Sequence, residues 1–82
     1  MKTIEELLAD TNQRLRWAEP MPGLAGDGSK HDGTAFVTAT VADCIRKARW
    51  SAHYRDPEGA MKLTPADLLQ EFMAVHWATE AE

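Results

Sequence analysis

Between Pro20 and Thr34 the chain reads PMPGLAGDGSKHDGT, with prolines at 20 and 22 and glycines at 23, 26, 28 and 33. No helix runs through such a stretch: proline removes a backbone donor and glycine leaves the backbone too free. The fold must therefore be assembled from residues 1–19 on one side of it and residues 35–82 on the other. Residues 19–34 read as a flexible connector within a single domain spanning 1–82.

The stretch has some of the rhythm of a binding loop, and each such reading fails on detail. A phosphate-cradling P-loop needs Lys followed by Ser or Thr after its last glycine, behind a buried strand. Here the order is Gly28-Ser29-Lys30-His31. A calcium loop counted from Asp27 puts Asp32 where glycine belongs and Thr38 where glutamate belongs. Asp27, His31 and Asp32 make a poor transition-metal cage on a loop without cysteine. No metal and no cofactor is expected. Ordering of the loop against a partner stays open.

Eighty-two residues, 44% hydrophobic and 27% charged, support one modest core. No apolar run approaches the roughly 20 residues a bilayer crossing requires, and the opening MKTIEELLAD is too acidic for a signal peptide. The single cysteine, Cys44, excludes an internal disulfide. A cytoplasmic protein with no membrane partner is the expectation.

Periodicity predicts three helices. Thr3 and Glu6 have capping-box spacing, and Ile4, Leu7, Leu8, Thr11, Leu15 and Ala18 share one arc, giving a first helix over about 4–18. In KLTPADLLQEF, Thr64 is an N-cap, Pro65 a first helical residue and Asp67 the capping acid, with Leu63 and Leu68 as a hydrophobic staple. That helix is expected over about 65–79.

The middle segment is ambiguous. TAFVTATV alternates like a strand, yet no second strand is evident for it to pair with. As a helix over about 35–55, its Val37, Val41, Cys44, Ile45, Ala48 and Ala52 form one stripe. Thr40 and Asp43 repeat the spacing of Thr64 and Asp67, which offers Val41 as a later start. The fold class predicted is all-α: a small three-helix bundle with a long Gly-rich connector.

Catalysis is not expected. Cys44 falls inside an apolar stripe, His31, His53 and His76 lie in separate elements, and no nucleophile–base pair follows from spacing. The distinctive feature is a second stripe on the middle helix, Phe36, Trp50 and Tyr54, with Arg46, Arg49 and His53 beside it. Either both stripes are buried against neighbouring helices, or the second is exposed and docks a partner, because Trp, Tyr and Arg dominate interface hot spots. Trp17 and Trp77 sit at or beyond the margins of their own apolar faces, which suggests a further aromatic cluster or partner surface.

The net charge of −4 disfavours nucleic acid overall, although residues 35–55 are basic, with Arg46, Lys47, Arg49 and Arg55 against Asp43. The chain begins with Met and reads as a complete small product. The function expected is a non-catalytic protein-binding module, such as an adaptor, inhibitor or regulatory accessory protein of the kind bacteria and phages use. Its partner would be a larger protein or complex. The alternatives are a nucleic-acid-binding regulator using the basic middle helix, and a self-assembling subunit, a homo-oligomer.

Overall fold

In the computed structural model, which describes residues 2–21 and 33–81, the chain mixes helices and strands. The first helix, α1, spans Ile4–Ala9 and is followed by strand β1, Arg14–Met21. Strand β2, Gly33–Thr40, leads directly into helix α2, Val41–Arg55. A single helical turn, α3 (Pro57–Ala60), helix α4 (Pro65–His76) and a two-residue strand β3 (Thr79–Glu80) complete it. The glycine-rich loop readings at Asp27, His31 and Asp32 lie outside the described residues.

The sheet has the order β2-β1-β3, antiparallel throughout. Leu15 faces Ala39, Trp17 faces Val37 and Ala18 faces Phe36 across the β1–β2 ladder. The all-α three-helix bundle is therefore wrong, and so are the helices over 4–18 and 35–40. The missing partner for TAFVTATV is RLRWAEPM, which had been assigned to the end of the first helix. Leu8, Thr11, Leu15 and Ala18 fit a helical period, but Leu15, Trp17 and Glu19 fit a period of two equally well. Helix α1 stops at Ala9 because Asp10, Thr11 and Asn12 hydrogen-bond locally: the Asn12 N–H donates to Asp10 Oδ1 at 3.3 Å. A strand beginning at Arg14 then lets β2 satisfy its backbone.

Alternation along the strands sorts the two faces of the sheet. Leu15 and Trp17 are buried, and Val37 and Ala39 pack against the same core. Arg14, Arg16, Ala18, Thr34, Phe36 and Thr38 point the other way and are exposed. All the helices that touch the sheet lie on the first face, and the molecule is only 16 Å through its thinnest dimension. That is one helix layer on one sheet, with the second sheet face bare.

The helices form for the reasons their caps suggest. Thr3 and Glu6 make a complete capping box on α1, and Thr64 and Asp67 make another on α4. Thr40 caps α2 by accepting from the Asp43 N–H, so α2 begins at Val41. Its first amides are taken up by the α1–β1 turn: the Val41 N–H donates to Gln13 O at 2.8 Å and the Ala42 N–H to Thr11 O at 3.2 Å. Leu68, Leu69 and Phe72 of α4 then bury against Val41, Cys44 and Ala48 of α2.

Candidate interaction surface on the central helix

Helix α2 buries one stripe only. Val41, Cys44, Ala48 and Ala52 face the core, while Trp50, His53 and Tyr54 stand on the opposite side in solvent. The expectation that both stripes are buried fails, because α2 is covered by α4 and the sheet on one side and by nothing among the described residues on the other. Trp50 is 57% exposed, and Tyr54 and Met61 are more open still.

These side chains form a cluster. The Trp50 ring lies 5.9 Å from His53 in an edge-on arrangement and 6.1 Å from Tyr54, tilted by 33°. His53 and Tyr54 are 6.4 Å apart. Residues at i, i+3 and i+4 on one helix meet in this way. A cleft of about 280 Å³ opens beside Trp50, lined by Arg46, Arg49, Trp50, His53, Ala60 and Met61. The far wall comes from α3, which Pro57 starts immediately after α2.

Electrostatics divides the four cations of α2. Arg46 pairs with Asp43 at 3.1 Å and Arg55 with Glu71 at 2.6 Å. Lys47 and Arg49 have no acidic partner among the described residues. Both ion pairs are solvent-exposed and weakly held, so a ligand can recruit Arg46 at little cost.

Five of the six residues expected to bind a partner therefore share one surface: Trp50, Tyr54, Arg46, Arg49 and His53. Phe36 is not among them. It sits on β2, on the bare side of the sheet, with the Arg16 guanidinium 4.2 Å from its ring centre. Trp17 also departs from expectation. It is 2% exposed, meets Phe72 edge-on at 4.9 Å, and donates from Nε1 to Glu19 at 2.8 Å. Sequence reasoning missed Met61, whose one signal was an apolar side chain in an otherwise polar turn.

Cys44 is buried, and burial, with Asp43 adding to it, pushes its thiol up to about 11. His76 stacks on Phe72 at 4.4 Å within the core side of α4. Among the described residues no three His, Cys, Asp or Glu side chains are placed to share a metal ion, and no described helix is long and apolar enough to cross a membrane. No family model matches the chain, and neither the curated proteins nor the solved structures contain a match.

Proposed function

We propose that the chain is a non-catalytic, cytoplasmic protein-binding module that acts through the exposed face of α2. The observation that carries this reading is the convergence of three exposed large side chains, Trp50, Tyr54 and Met61, with two arginines and a histidine. The cleft of about 280 Å³ is too small for most small-molecule sites and suits a single inserted side chain. Its apolar floor calls for an aromatic or leucine anchor. Its cationic border, Arg46, Arg49 and His53 with Lys47 nearby, calls for carboxylates flanking that anchor. The partner is thus an acidic segment of another protein with one apolar anchor, and the module works as an adaptor, an inhibitor or a regulatory subunit.

Reading α2 as a duplex-binding helix has less in its favour, since Arg46 and Arg55 are tied to Asp43 and Glu71. A peptide-display selection against the immobilised chain tests the proposal. Acidic peptides carrying one aromatic or leucine should be enriched on the wild type and lost on a Trp50→Ala, Tyr54→Ala double variant of unchanged circular dichroism. Enrichment of no such class, or equal enrichment on both chains, overturns the reading. Unfolding of the double variant would overturn the site assignment, because exposed residues should not hold the fold together.

A further inference from the structure

Two other exposed aromatic residues remain, Phe36 at 65% and Trp77 at 86% exposure. They belong to different elements, yet they line one cleft of about 300 Å³ together with Arg16, Ala18 and Thr79. A second cleft of about 780 Å³ adjoins it on the bare sheet face, lined by Arg14, Arg16, Phe36, Thr38, Thr79 and Glu80. The two share Arg16, Phe36 and Thr79, so they form one continuous track across β2, β1 and β3.

The residue types along this track repeat a simple chemistry. Phe36 and Trp77 offer exposed rings, with the small Ala18 exposed between their elements. Arg14 and Arg16 are cations without an acidic partner among the described residues, and Arg16 already lies flat against the Phe36 ring. Thr38 and Thr79 add hydroxyls beside Arg16, each directly opposite it in the ladder. Glu80 is the one acid in the lining, and its carboxylate is engaged by the backbone N–H of Lys2. Strand β3 pairs only with Leu15 and Arg16, so from Trp17 onward this edge of β1 has no described strand partner.

Trp77 adds a second, independent observation. It is the left-handed cap of α4, at φ 53°, a conformation glycine adopts without cost and a bulky residue does not. Nothing in the core holds the indole there. Strain that presents an exposed aromatic ring over a cleft points to a ligand for that ring.

We propose that the bare sheet face binds a single strand of nucleic acid, its bases stacking on Phe36 and Trp77 and its phosphates meeting Arg14 and Arg16. Rings that accept any base face, alternating with cations, are the general means of holding an unpaired strand. A continuous track with two rings and two cations matches a repeating base-phosphate chain better than one nucleotide. A duplex is excluded by its stacked, inaccessible bases. This surface is separate from the α2 face, so either activity can fail without the other.

Fluorescence anisotropy of a labelled eight-nucleotide single strand, titrated with the full chain at about 50 mM NaCl, tests it. A Kd of about 10–100 µM is expected, weakening as salt rises. Trp77→Gly, which removes the ring and relieves the backbone, and Phe36→Ala should each weaken binding about tenfold. Arg14→Ala with Arg16→Ala should lower the salt slope by about 1. Absence of binding, equal binding of the matching duplex, or equal affinity for uridine monophosphate each overturns the proposal. So does binding that survives both ring substitutions but is lost on Trp50→Ala with Tyr54→Ala.

Discussion

Trp77 shows how one residue can set stability against use. Its φ of 53° carries a cost that glycine would not, and its indole is almost wholly in solvent. Trp77→Gly should therefore stabilise the protein by roughly 0.5–1 kcal/mol, read as a higher urea midpoint at unchanged slope. Cys44 gives a second residue-scale test. Its folded thiol titrates near 11 against an ordinary value of 9.0. The neutral form is the one the fold favours, so the stabilisation is whole below pH 9 and is lost as pH rises through 11. Melting temperature should fall across that alkaline window in the wild type and fall less in Cys44→Ala. At neutral pH the native thiol should react with an aromatic disulfide reagent far more slowly than the unfolded chain, being both protonated and buried.

Among the elements, α4 was the most legible. Thr64, Pro65 and Asp67 act within four residues of one another, and local chemistry of that kind needs no tertiary context. The Thr64 N–H and the Asp67 N–H each find the other residue's side chain at 3.1 Å. Thr64→Ala should lower stability by about 1 kcal/mol in chemical denaturation, and Thr64→Ser should restore most of it. Strand β1 was the least legible. Its two buried residues, Leu15 and Trp17, sit two apart, but Leu8 and Thr11 precede Leu15 at helical spacing. Only Asp10, Thr11 and Asn12, which end α1, separate the readings, and turn residues of that type also occur inside helices. Once β1 was read as helix, the strand pattern of β2 had no partner and its first half was misread in turn.

At the scale of the whole molecule, one helical layer covers one side of a three-stranded sheet. Trp17 is the hinge between the layers, in contact with Phe72 and His76 of α4 from its place on β1. Trp17→Ala should cost about 3–5 kcal/mol, which is comparable to the entire stability of a domain of this size, and should leave the chain largely unfolded by circular dichroism at 37 °C. Trp50→Ala should change stability by no more than about 0.5 kcal/mol. Both are tryptophans at the edge of a helical projection, and only packing separates them. The two-layer arrangement also decides what is left for partners: the outer side of α2 and the bare side of the sheet.

From residue order alone came the caps at Thr3, Thr40 and Thr64, the buried stripe of α2, and the company of Trp50 and Tyr54 with Arg46, Arg49 and His53. These are contacts within one turn or two of a single helix, where spacing in the chain is spacing in space. Whether Trp17 lay inside, where Phe36 pointed and what Trp77 faced depended on β1 pairing with β2 across the connector. That pairing is a long-range match of two alternating patterns, and short-range periodicity carries no record of it.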